Sequence, residues 1–166
     1  MNKSEKEKQF LAILENHKDQ IYRICWGFTK EKSDVEDLFQ EVMLKTWKGL
    51  ESFEGRSSIS TWLYRVTVNT CLLWKKKNKP SVELTDSNQE KSGITASSQE
   101  DLLIQNERIL KLRQAIQQLN KVDKTIALLI LEEMSYDEIS EVTGLNINHI
   151  GVKIHRIKQQ LKKLML

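Results

Sequence analysis

The sequence predicts an all-α protein made of two small helical domains joined by a flexible linker. Three observations predict it. One proline and six glycines are spread over 166 residues, and no apolar alternation of period two is sustained. Serine followed three residues later by glutamate, a reciprocal cap that opens helices, occurs at Ser33/Glu36 and again at Ser135/Glu138. From Pro80 to Gln99 the chain is polar, serine-rich and poor in large apolar residues, with too little to bury to order itself. The expected division is one unit over 1–79, a linker over 80–99 and a second unit over 100–166.

In chain order, a first helix is expected to begin after Ser4 and to turn Leu11, Leu14, Ile21, Ile24, Cys25 and Phe28 inward. A second opens at the Ser33/Glu36 cap and runs toward Gly49, with Leu38, Val42, Lys45 and Thr46 close together and Phe39, Met43 and Trp47 forming another row. Two apolar rows mean either a helix deep in a core, the commoner case, or one that offers a row to a partner. After a loop from Glu51 to Ser60, a third helix turns Leu63, Val66, Thr70 and Leu73 to one side and Trp62, Arg65 and Asn69 to another, and Pro80 ends it. Rings interleaved with basic groups suit single-stranded nucleic acid, because bases stack on rings while lysines neutralise phosphates. Core tryptophans at 62 and 74 beside a solvated lysine end account equally well for the pattern.

Beyond the linker, a fourth helix from Ser98 or Gln99 carries Leu103, Ile109, Leu112, Ile116 and Leu119, and a fifth, from Lys121 to Glu133, carries Ile126, Leu129 and Ile130. The stretch from Met134 to Leu164 then reads as a helix-turn-helix. Ser135 caps its first helix, Met134 and Ile139 clamp the entry, and Ile139 and Val142 are buried. Gly144 takes positive φ at little cost and Asn146 caps the second helix, so the turn is sharp. In that helix Ile147, Ile150, Ile154, Ile157, Leu161 and Leu164 alternate steps of three and four, which makes one buried stripe. The opposite face carries Asn148, His149, Lys153, Arg156 and Lys158, and no acid follows Glu141. A basic helix set across a support by a tight turn places side chains in a DNA major groove. A plain helical hairpin with a solvated basic face is the simpler alternative, and the missing acids weigh against it.

Composition adds limits. A net charge of +3 with 30% charged residues is ordinary as a total, so any nucleic-acid signal lies in distribution: Lys75, Lys76, Lys77 and Lys79 stand just before an acidic block from Ser81 to Glu107. Cys25 and Cys71 sit in apolar helical contexts that suit buried free thiols in a reducing compartment, and His149 and His155 are six apart, on different faces. No metal or other cofactor is therefore expected. No apolar run approaches membrane-spanning length, so an integral membrane protein is not expected, and MNKSEKEK lacks a secretory apolar core, so a cytoplasmic location is.

With these residues in place, the chain resembles the bacterial RNA polymerase sigma factors of the extracytoplasmic-function group. DVEDLFQEVMLKTW is similar to the polymerase-binding helix of their second conserved region, SSISTWLYRVTVNT to its promoter-melting helix, and LNKVDKTIALLILEEMSYDEISEVTGLNINHIGVKIHRIKQQL to the fourth region. The resemblance implies a transcription initiation factor, not an enzyme, that binds core RNA polymerase and directs it to promoters. Leu38, Gln40, Glu41, Leu44 and Trp47 would then dock on the clamp helices of the largest subunit. Phe53, Ser57, Ser58, Trp62, Arg65, Asn69, Lys75 and Lys76 would serve minus-ten recognition and melting, the loop from Phe53 to Ser60 capturing a flipped base. Lys124, Asn148, His149, Val152, Lys153 and Arg156 would read the minus-thirty-five duplex, and an anti-sigma factor would restrain the protein.

The chain departs from the family pattern at Asn120, usually proline, Lys124, usually arginine, Leu73, often aspartate, and Gly151, often basic. The last change removes a contact, so promoter sequence does not carry over. An autonomous dimeric helix-turn-helix regulator would leave Trp47, Trp62 and the lysine run without a task, and no phosphate-cradling glycine loop, metal helix or nucleophile motif supports an enzyme.

Overall fold

The computed structural model describes residues 2–74 and 99–166, with side chains from 106 onward in the second stretch. The expected roles of Lys75, Lys76, Pro80, the 80–99 linker and Leu103 fall outside the described residues or side chains. Among the described residues the fold is all-α: α1 Lys3–Phe28, α2 Lys32–Gly49, a 3-10 turn Leu50–Ser52, α3 Ile59–Leu73, α4 Gln99–Gln117, α5 Lys121–Leu131, α6 Tyr136–Thr143 and α7 Ile147–Leu164.

The first unit is a three-helix bundle of α1, α2 and α3, each packed on the other two. Helix α1 begins earlier than Ser4: Asn2 is its cap, and a reciprocal pair of bonds joins Asn2 to Glu5. Ile13, Ile21, Ile24 and Cys25 are buried along it, whereas Leu11 is 60% exposed. Helix α2 starts at Lys32 with Glu31 as the cap residue, so Ser33 lies inside the first turn and not at the cap. The buried face of α3 is Thr61, Leu63, Tyr64, Thr67, Val68, Thr70 and Cys71, and Leu73 is 73% exposed, which corrects the apolar side read from the sequence. The reason is chemical. Thr46, Thr67 and Thr70 each return the hydroxyl proton to the carbonyl four residues back, at 2.6–2.8 Å, so they enter the core without an unsatisfied group. Helix α3 also ends at Leu73, with Trp74 extended and its amide bonded to Cys71 O.

The second unit is built as the caps dictate. Asn120 caps α5 through the Asp123 amide, Ser135 caps α6 through the Glu138 amide, and Asn146 caps α7 through the Asn148 amide. Gly144 closes α6 at φ 75°, in the left-handed region, and Gly55 takes φ 72° in the loop before α3. Ile116, Leu119, Ile126, Leu129, Ile139, Val142, Ile150, Ile154 and Ile157 form the interior. Ile109 is 49% exposed and Ile147 and Leu164 lie at the margin, so the apolar periodicity overran the buried stripe at helix ends.

The units pack against each other, α1 on α4 and α5 and α3 on α6, and one apolar cluster runs from Ile13 to Ile157. Cys25 and Cys71 are buried free thiols as expected, with Sγ atoms 4.0 Å apart between α1 and α3. Burial pushes the Cys71 thiol well up, and the neighbouring Cys25 adds to it.

Two local devices therefore fix the two ends of α6, Ser135 its start and Gly144 the turn into α7. Ser135→Ala is expected to lower stability by about 1 kcal/mol, and Gly144→Ala by roughly 1–2 kcal/mol because its Cβ would enter left-handed backbone. Urea unfolding checks both, as a lower midpoint with an unchanged slope.

Candidate nucleic-acid and polymerase surfaces

Helix α2 presents a shallow groove lined by Asp37, Gln40, Glu41, Leu44, Lys45 and Lys48. Gln40 is exposed, Leu44 is 57% exposed and Glu41 is half-buried, so these three expected contacts share an open face. Leu38 does not share it. It is fully buried and supports the helix from beneath, which corrects its expected place at a partner surface. Trp47 is half-buried: the Phe10 ring meets it edge-on at 5.3 Å and Lys6 Nζ lies 4.2 Å from its ring centre. The Lys6 ammonium also pairs with Glu51 at 3.0 Å, so the N-terminal turn of α1 covers this ring. Asp37, Lys45 and Lys48 were missed from the sequence, although spacing of three and four from Gln40, Glu41 and Leu44 would have found them.

The loop before α3 is braced from below. Phe53 and Trp62 stack at 5.2 Å with a 46° tilt, and a Cβ on Gly49 would lie 2.9 Å from the Trp62 ring, so only glycine lets the indole reach the end of α2. Trp62 is thus half-buried packing, not an open platform. Ser58 caps α3, accepting from the Thr61 amide at 3.1 Å and donating to the Thr61 hydroxyl at 2.9 Å; the half-buried Ser57 donates to Ser58 O. His17 of α1, which the sequence did not single out, places Nε2 3.3 Å from the Ser60 hydroxyl and its ring edge-on to Tyr64. Burial lowers the His17 pKa, which favours the neutral ring. Asn69 and Arg65 are exposed on the outer side of α3, and Arg65 donates to Glu141 O in the second unit at 2.7 Å.

On α7 the division of faces is sharp. Ile150, Ile154 and Ile157 are buried, and Asn148, His149, Val152 and Arg156 stand exposed opposite them, Val152 by 51%. Lys153 is half-buried and its ammonium lies 3.4 Å from Asp123 Oδ1 on α5. Gly151 lies on the same helix, and a Cβ there would touch only the Tyr136 ring, at an ordinary 3.8 Å. Lys124 is set apart from this face: it is half-buried, its ammonium 5.9 Å from the centre of the Phe28 ring. Burial, Lys30 and Lys121 all lower its pKa. Among the described residues no group of His, Cys, Asp and Glu could hold a metal, and no helix is long and apolar enough to cross a membrane.

Residues 13–80 match the family described as Sigma-70 region 2, and residues 109–161 match Sigma-70, region 4. RNA polymerase sigma factor YlaC of Bacillus subtilis is 30% identical over 155 residues, covering 92% of this chain and 90% of its own. ECF RNA polymerase sigma factor SigW of the same organism is 29% identical, covering 93% and 87%. Among solved structures, CnrH in complex with the cytosolic domain of CnrY matches 96% of this chain and 88% of its own at a TM-score of 0.70 and 17% identity. RpoE in complex with the anti-sigma factor NepR from Bartonella quintana matches 96% and 95% at a TM-score of 0.65 and 16% identity, so both share the fold. With regions 2 and 4 in order and relatives aligned along nearly their whole length, the chain belongs to the sigma-70 family of RNA polymerase sigma factors, in its extracytoplasmic-function group.

Proposed function

We propose that the chain is a non-catalytic initiation factor of the cytoplasm whose α2 groove binds core RNA polymerase, whose α3 and preceding loop hold the opened minus-ten strand, and whose α7 reads the minus-thirty-five duplex. The family membership makes it a factor that binds core polymerase and directs it to promoters. The observation that carries the residue-level reading is α7. Its polar face, Asn148, His149, Val152 and Arg156, is exposed along a helix whose apolar stripe is buried, so the groups free to meet a groove include amide, imidazole and guanidinium donors.

For the polymerase, the proposed contacts are Gln40, Glu41 and Leu44, an apolar centre between polar neighbours on the clamp helices' side. Leu38 and Trp47 act through the shape of α2. For the strand, the Phe53–Trp62 stack fixes the loop, and Asn69 and Arg65 face outward beside it. Unstacking a base costs a few kcal/mol, which a fixed loop and phosphate contacts can offset. Lys153 reaches DNA by leaving Asp123, and Lys124 by leaving the Phe28 ring. An anti-sigma factor is the proposed restraining partner, by likeness to RpoE of Bartonella quintana, whose partner NepR is an anti-sigma factor.

Three outcomes follow. Gln40→Ala with Glu41→Lys should stay folded, since neither side chain is in the core, and should compete poorly with the parent chain for core polymerase; equal competition would remove the α2 face from the reading. Arg156→Ala should weaken promoter duplex binding by roughly 1–3 kcal/mol and relax sequence preference if the guanidinium meets a base, or lower affinity evenly with a smaller salt slope if it meets phosphate. Asn69→Ala in the polymerase complex should leave closed-complex binding intact and reduce permanganate reactivity of minus-ten thymines. Normal opening with lost closed-complex binding would reverse the division of labour.

A further inference from the structure

The groups of α7 that are proposed to meet DNA are not equally free. His149 and Arg156 are exposed, whereas Lys153, one turn from each of them, is half-buried with its ammonium 3.4 Å from Asp123 Oδ1. No acid follows Glu141 in the sequence, yet α5 packs along α7 and brings this one to its outer face. The side chains of the pair are 16% and 31% exposed, so it is shielded from water but not closed to a ligand.

The carboxylate is aimed by its own helix. Asn120, the cap of α5, accepts from the Asp123 amide at 2.9 Å and donates from Nδ2 to Asp123 Oδ2 at 3.0 Å, which leaves Oδ1 for Lys153. A fixed negative charge at this place acts differently on the two kinds of contact that a duplex offers. Binding to any sequence is driven by cations that settle on phosphates and release counterions. A phosphate brought to the Lys153 ammonium where it now lies would stand about 6 Å from the Asp123 carboxylate, two ion-pair lengths, and like charges at that distance in water weaken binding roughly threefold. A base acceptor, such as O6 or N7 of guanine in the major groove, carries no net charge and escapes that penalty. Leaving Asp123 costs Lys153 the same in either case. The acid therefore penalises the unselective contact more than the selective one, as discrimination between partners requires.

We propose that Asp123 is a specificity-determining residue: its carboxylate, aimed by Asn120, discourages Lys153 from settling on phosphates of any sequence and so favours duplexes that offer the ammonium a base. This rests on the reading of α7 as the duplex-reading helix. In this scheme Asp123 touches no base and acts through Lys153, and it sets the ratio between chosen and unchosen sequences at some loss of affinity for both.

The test uses the purified full-length chain and two duplexes of equal length, one enriched by the parent chain from a randomised pool and one of scrambled sequence. Asp123→Asn removes the charge, keeps the amide that Asn120 caps and lies outside the core, so the helical circular dichroism should be that of the parent. At equal salt it should bind the scrambled duplex roughly sixfold more tightly and the enriched one only about twofold, the share due to release of the ion pair. Discrimination between the two should fall roughly threefold, and the difference should shrink as salt rises. In a Lys153→Ala chain the same substitution should change either affinity by less than about twofold. Equal tightening on both duplexes overturns the specificity role and leaves Asp123 an ordinary negative charge. An effect as large without Lys153 overturns the route through that residue, and weaker binding to both by a folded Asp123→Asn chain overturns the penalty itself. Arg156→Ala separates the proposal from the reading beneath it. If the enriched duplex is bound as tightly without that guanidinium, or if the parent enriches no sequence, the reading of α7 falls and the proposal with it; if affinity for the enriched duplex is lost while Asp123→Asn tightens both alike, the proposal alone is overturned.

Discussion

Helix α1 ends with no basic residue in its last turn, and the part-buried carbonyls there need a hydrogen-bond donor from outside the helix. They find it in Arg113, from the other half of the chain, which bonds Trp26 O and Thr29 O while lying on the Trp26 ring. Much of the architecture depends on this junction. The same α1 buries Ile21, Ile24 and Cys25 against α2 and α3, so a contact at its end links the core of the first bundle to the helices that carry the helix-turn-helix. Gly27 and Arg23, within the same two turns, complete the seam toward Leu128 and Glu132. A structural need of one helix is met by a residue far along the sequence, and the two units are coupled as a result.

Features that depend on near neighbours along the chain are legible in the sequence itself. Ser135, Gly144 and Asn146 each act within a turn of themselves, so the α6–α7 motif follows from residue type and spacing, and the three caps form as read. Features that depend on what lies across the helix are less legible. Leu11, Leu73 and Ile109 fit the apolar period yet face solvent, because a period marks a stripe but not where a neighbouring helix stops covering it. The buried face of α3 is hidden for a different reason: three of its members are threonines, polar by name, and Thr67 and Thr70 are satisfied by their own helix. Ser33 shows the converse. A capping pattern is present in the sequence, but the chain enters the helix before it.

The candidate sites divide along the same line. Asn148, His149, Val152 and Arg156 are readable because an amphipathic helix with one buried stripe has its outer face fixed by the period. Helix α2 has two apolar rows, and which row is covered depends on α1, whose Lys6 and Phe10 lie on Trp47; Leu38 consequently belongs to the interior and Leu44 to the surface. The two halves each present a cation to the other in Arg65 and Lys124, a juxtaposition across distant sequence that no local pattern contains.

Gly151 gives α7, the proposed recognition helix, room for a side chain. A glycine inside a helix is less favourable than alanine by roughly 0.5–1 kcal/mol, and at this position an added side chain meets only the edge of Tyr136 at van der Waals distance. Most replacements would therefore raise helix stability while adding a new group beside Val152 and Asn148. Few positions on a binding surface combine those properties, since new specificity usually weakens the fold. On the proposed reading of α7, one substitution here would add a contact to the DNA-facing side with the supporting helices left as they are.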